Sequence, residues 1–114
     1  MNVRISIKDP EGEYENTIQI TDIADPERFS YLDSDGARCF LEVGDEEICI
    51  RRDAPDHCSE LLLKEGGCLI ISSPEGSITF SLKAIEIRKN NDIITVVYSI
   101  DNVTRSIVIE YIGV

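Results

Sequence analysis

A chain of 114 residues is the size of one domain, 1–114, and is long enough to bury a core of its own. Its net charge of −11, from 22 acidic and 11 basic residues, argues against nucleic acid or an anionic membrane as partner, because phosphate surfaces repel acidic ones. Its apolar runs fall short of the ~18–20 residues of a membrane-spanning helix, and Met1-Asn2-Val3-Arg4-Ile5 lacks the continuous apolar segment of a signal peptide, which predicts a cytoplasmic protein.

In chain order, the sequence predicts strands at 2–8, 16–21, 28–32, 37–43, 46–52, 59–64, 67–72, 77–87, 92–100 and 105–112. Turn signals separate them: Asp9-Pro10-Glu11-Gly12, Asp25-Pro26, Asp33-Ser34-Asp35-Gly36, Gly44-Asp45, Glu65-Gly66-Gly67, Pro74-Glu75-Gly76, Asn90-Asn91 and Asp101-Asn102. The acidity is lopsided, with 15 acids and 6 bases in residues 1–56 against 7 acids and 5 bases in 57–114. Only 53–62 leaves room for a helical turn, and Asp53-Ala54-Pro55-Asp56 reads more simply as a loop.

The last third carries the clearest pattern. Ile94, Val96, Tyr98 and Ile100 share one parity, as do Ile107, Ile109 and Tyr111, so each strand presents one apolar face. In 77–87 the phase changes: Ile78, Phe80 and Leu82 lie on one parity, Ile85 and Ile87 on the other. A one-residue shift is what a β-bulge produces, and a bulge lets a sheet curve into a barrel. Short strands with hairpin-length loops predict an all-β fold, a single antiparallel barrel of about eight to ten strands.

The order of residues also resembles a known family. The stretch Ser73-Pro74-Glu75-Gly76-Ser77-Ile78, then Tyr98-Ser99-Ile100, then Ile107-Val108-Ile109, resembles the C-terminal half of the YwiB-like family of small bacterial proteins. Upstream, Ile48-Cys49-Ile50-Arg51-Arg52 and Leu61-Leu62-Leu63-Lys64-Glu65-Gly66 are similar to two of its apolar strands. Ser73 and Glu75 stand where the family has threonine and phenylalanine. The resemblance implies a calycin-like (lipocalin-like) barrel of unknown function and supplies no catalytic residues.

Chemistry-bearing residues are sparse. His57 is the only histidine, and its neighbour Cys58 points the other way on an extended chain, so the two do not form a nucleophile and base. Cys39, Cys49, Cys58 and Cys68 lack the close C-x2-C pair of structural zinc and read as small buried hydrophobes. Asp33-Ser34-Asp35-Gly36 has Glu42 six residues after its glycine, as a calcium loop would, but no flanking helix, and reads as a hairpin turn. The aromatics Tyr14, Phe29, Tyr31, Phe40, Phe80, Tyr98 and Tyr111 match core positions.

No cofactor or metal is implied. The expectation is a non-catalytic binding module for a small apolar or amphipathic ligand, or for a protein partner such as a second copy of the chain in a homodimer. The alternatives are a solidly packed barrel acting by its surface, and an enzyme with its site at the barrel mouth. The candidate ligand-binding residues are Arg52, Tyr98 and Tyr111. Arg52 shares parity with Ile48 and Ile50, which sets its guanidinium at a mouth of the barrel, either as a plug or as an anchor for an anionic group.

Overall fold

Ten antiparallel strands form one curved sheet in a computed structural model that describes residues 1–9 and 15–113. They are β1 (Asn2–Lys8), β2 (Glu15–Ile20), β3 (Arg28–Leu32), β4 (Arg38–Val43) and β5 (Ile48–Asp53). Then follow β6 (Cys58–Leu63), β7 (Cys68–Ser73), β8 (Gly76–Asn90), β9 (Ile93–Ile100) and β10 (Val103–Ile112). All ten strands expected from the sequence are present, and no described residue is helical. Pro10, Glu11 and Gly12 of the first expected turn, and Tyr14, lie outside the described residues.

The strand order is β2-β1-β10-β9-β8-β7-β6-β5-β4-β3. The chain from β3 to β10 is a plain meander, and β10 then pairs with β1, which brings the two ends of the chain together in a barrel. Between the terminal strands β2 and β3 runs the segment 21–27. It is stapled to the barrel by Ile23 N–H donating to the Met1 carbonyl (2.9 Å) and Val43 N–H donating to the Glu27 carbonyl (2.8 Å).

β8 makes the curvature. Its first part pairs with β7 as far as Ser81, and its second part pairs with β9 from Leu82 onward. The register slips by one residue between Leu82 and Ala84, so the bulge read from the phase change is present. The slip turns Ile85 and Ile87 onto the core side with Leu82. The strand is longer than the expected 77–87, because Gly76 and Arg88–Asn90 complete the two hairpins that it joins.

Cross-strand rows build the core. Val96 faces Ile107 and Ile87, Ile109 faces Ile94 and Ile5, and Leu41 faces Ile50 and Phe29. Val3, Ile5, Leu41, Ile48, Leu63, Val96, Ile107 and Ile109 are at most 2% exposed. Side chains this closed line no void wide enough for water, so the middle of the barrel is filled by packing. Burying each large aliphatic side chain contributes about 1.5–3 kcal/mol.

Two expectations about the core need correction. Ile78 is 60% exposed: its row, Ser59–Ile71–Ile78, lies at the open end of the barrel beyond the packed layer. Phe40 is half-exposed, because it faces Ser30 and Arg51 on the outer side of its strand.

Candidate functional site

The two ends of the barrel differ in chemistry. At the upper end, the β3–β4 turn (33–37) and the β5–β6 turn (54–57) flank Arg52. Arg52 faces Cys39, which faces Tyr31, on the inner side of the sheet. Its Nε–H donates to Asp33 Oδ2 at 2.5 Å, and its Nη2 lies 3.6 Å from Asp35 Oδ2. Asp33 Oδ1 accepts from the amides of Asp35 and Ala37, each at 2.9 Å, the pattern of an aspartate that caps its own turn. Gly36 supports that turn with φ +82°, a conformation that costs other L-residues more.

Desolvation pulls the Asp33 carboxyl upward. The hydrogen bonds from Arg52, Ala37 and Asp35 outweigh it and hold the group below the usual carboxylate range. Next door, burial pushes the Tyr31 phenol well above its ordinary value, with the neighbouring Cys39 adding to the effect. Burial likewise raises the Cys39 thiol. These groups are protonated at neutral pH and unsuited to act as nucleophiles.

His57 sits across the same end. Arg52 Nη1 is 3.4 Å from its Nε2, and its Nδ1 is 2.8 Å from Asp56 Oδ1. Arginine can only donate, so in this contact Nε2 accepts and the ring proton is on Nδ1, directed at Asp56. The histidine partners Arg52 and Asp56, not Cys58.

The structure does not gather the three candidate residues into one site. Tyr98, almost buried, faces Ile85 and Arg105 across the ladder; burial raises its phenol, and the Arg105 guanidinium works against that shift. Tyr111 is at the opposite end from Arg52, where its hydroxyl donates to the Pro26 carbonyl at 2.8 Å. It thereby pins the 21–27 segment under β3. The Asp33-to-Gly36 segment is the expected hairpin turn, and Glu42 lies in β4 with Arg28 at 3.6 Å. All four cysteines are free thiols. Among the described residues, no group of His, Cys, Asp and Glu is arranged to hold a metal ion.

A larger concavity lies at the lower end, and the sequence reading named none of its lining residues as ligand-binding. It is a groove of about 1380 Å³ beside the second part of β8. Its floor is Leu82, Ile85 and Ile87, with Ala84 bordering it from the outer face of the strand, and its opposite wall is the turns Asp45–Glu47 and Lys64–Gly66. Lys89 closes one end by donating from Nζ to the carbonyls of Gly44 (2.6 Å) and Asp45 (3.0 Å). Asp45, Glu46, Glu47 and Glu65 form no ion pair among the described residues. A second hollow of about 280 Å³ shares Glu47 with the groove and adds Asp25, Glu27 and Glu42, so acids outnumber bases at this end, seven against Lys64, Lys83, Lys89 and Arg28. Two signals for the groove stand in the sequence: the phase shift at 82–85 and the run of three acids at 45–47.

Comparison with known proteins adds the fold. The chain superimposes on the crystal structure of the YwiB protein from Bacillus subtilis with a TM-score of 0.51 over 99% of this chain and 89% of that one, at 12% identity. The expected YwiB-like barrel is therefore the fold of this chain. No protein-family model and no curated protein matches it.

Proposed function

We propose that this protein is a non-catalytic binding module and that its contact surface is the groove beside β8. The guest is amphipathic, with an apolar body for Leu82, Ile85 and Ile87 and a positive end for the acidic turn Asp45–Glu47. The observation that carries this reading is an apolar floor beside carboxylates that have no ion-pair partner among the described residues, in one concavity of about 1380 Å³. The filled centre of the barrel favours a guest at the mouth over one on the axis. The net charge of −11 draws cations toward the protein before contact.

The test is calorimetric titration with dodecyltrimethylammonium, below its micelle concentration, against dodecyl sulfate as the matched anion. The cation should saturate one site, and the combined Asp45→Asn, Glu46→Gln, Glu47→Gln variant should weaken it by about tenfold or more. Equal affinity for the two detergents, or binding untouched by the triple variant, refutes the reading.

A further inference from the structure

We propose that the guest of this groove is an extended basic peptide segment, which joins the barrel as an added strand along the open edge of β8; this rests on the groove being the contact surface. β7 leaves β8 early. The last β7–β8 pair is Cys68↔Ser81, and the last backbone bond on that side is Leu82 N–H donating to the Gly67 carbonyl at 3.0 Å. β9 continues alongside β8 through Asn90. From Lys83 to Asn90, then, one edge of β8 is laddered to β9, while the other has no strand beside it among the described residues. On such an edge every second residue directs its N–H and C=O away from the sheet, ready to pair with another chain.

The groove lies against that edge. The residues lining it from β8 are Leu82–Ile85, Ile87 and Lys89. Because Lys89 bridges to the 44–45 turn, the accessible run is Lys83–Arg88, about 20 Å of strand at ~3.3 Å per residue. This matches a guest of about six residues. A strand laid there directs alternate side chains inward, over Leu82, Ile85 and Ile87, and the remaining ones outward. Its positive side chains meet Asp45, Glu46, Glu47 and Glu65, whose carboxylates have no ion-pair partner among the described residues. Main-chain bonds would supply affinity and the acidic wall would supply selectivity, as in other strand-addition sites. The bulge at Lys83 is a usual guard against indiscriminate pairing, and it marks the upper limit of the docking run.

The probe is an eight-residue peptide of alternating lysine and valine, blocked at both ends and followed by fluorescence anisotropy. Two further peptides carry N-methyl groups on all the valines or on all the lysines. Charge and side chains are nearly the same, but one set of amide donors is lost in each. The expected result is saturable binding of the parent, a loss of about tenfold or more on one methylation pattern, and little loss on the other. The combined Asp45→Asn, Glu46→Gln, Glu47→Gln variant should weaken the parent by about tenfold or more. Equal affinity for all three peptides, or equal loss on both patterns, overturns strand addition. Parent binding untouched by the triple variant places the guest elsewhere and overturns it too. If no peptide binds while dodecyltrimethylammonium still does, the peptide inference falls and the groove reading stands. If neither binds, both fall.

Discussion

Replacing Arg52 with methionine separates a structural plug from a ligand anchor, because the stem remains and only the charge and donors go. The stem packs at the upper end of the barrel, so the losses are the Nε–H bond to Asp33 at 2.5 Å and the longer Nη1 contact with His57 at 3.4 Å. The Asp33 side chain is 12% exposed and that of Arg52 29%, so this charge-assisted bond is only partly screened. Hydrogen bonds to charged groups are worth about 1.5–3 kcal/mol. The 3.6 Å contact with Asp35, whose side chain is 81% exposed, adds little. Asp33 keeps its two backbone partners, Asp35 and Ala37, which limits the damage. The expected destabilisation is therefore about 1–3 kcal/mol by urea unfolding at pH 7.

The pH dependence gives a second reading of the same bond. The folded Asp33 carboxyl titrates below its unfolded value, so its contribution is complete above the unfolded pKa and disappears as pH falls through the folded one. The wild type should lose stability on acidification below about pH 4, and Arg52→Met should lose less over that interval. A variant within about half a kcal/mol of wild type at pH 7, with the same acid dependence, refutes the plug.

Four further substitutions test the fold. Val96→Ala or Ile109→Ala, both fully buried, should each cost about 1–4 kcal/mol by the same unfolding assay; a loss below about half a kcal/mol at both would mean these faces are not the core. Tyr111→Phe removes the hydroxyl that holds the Pro26 carbonyl, and should cost about 0.5–1.5 kcal/mol and speed amide exchange in 21–27; unchanged exchange there would show that the contact does not anchor the segment. Gly67→Ala would set a methyl 2.0 Å from the Leu62 carbonyl oxygen and 2.9 Å from that of Lys64; the backbone must shift, at about 1–3 kcal/mol or more, and a neutral effect would contradict the turn geometry.

What could be read from the residues, and what could not, divides by range. Alternation and turn chemistry are local, so the ten strands, the inward parity of Val96 and Ile109, and the bulge near Lys83 were all legible. Parity, however, does not say how far along the barrel a residue lies. Ile78 has the inward parity of its strand, but it stands above the packed layer, where no facing side chain closes over it. For Phe40 the sequence shows an aromatic among apolar neighbours, and only the register Ser30–Phe40–Arg51 shows that it points outward. The partner of Arg52 is 19 residues away, and finding Asp33 requires the registers of β3, β4 and β5 together.

The groove is the harder case, since it depends on a difference in length between two strands. β7 ends at Ser73 and begins at Cys68, too short to follow β8 past Leu82. The Gly66-Gly67 turn that starts β7 was visible, and so was the bulge. Neither alone implies an open edge. The bulge swings β8 away from β7 at the point where β7 has no residues left to follow, and the Asp45–Glu47 turn comes to face the gap. A barrel of this kind has to bend one strand sharply to close, and the bend exposes backbone on the outer side of the corner. The same feature that lets the core close therefore creates the site. Lengthening β7 to cover β8 would be the simplest remedy for an unwanted edge. The chain instead keeps β7 short, lines the gap with an apolar floor, and places opposite it carboxylates without an ion-pair partner among the described residues.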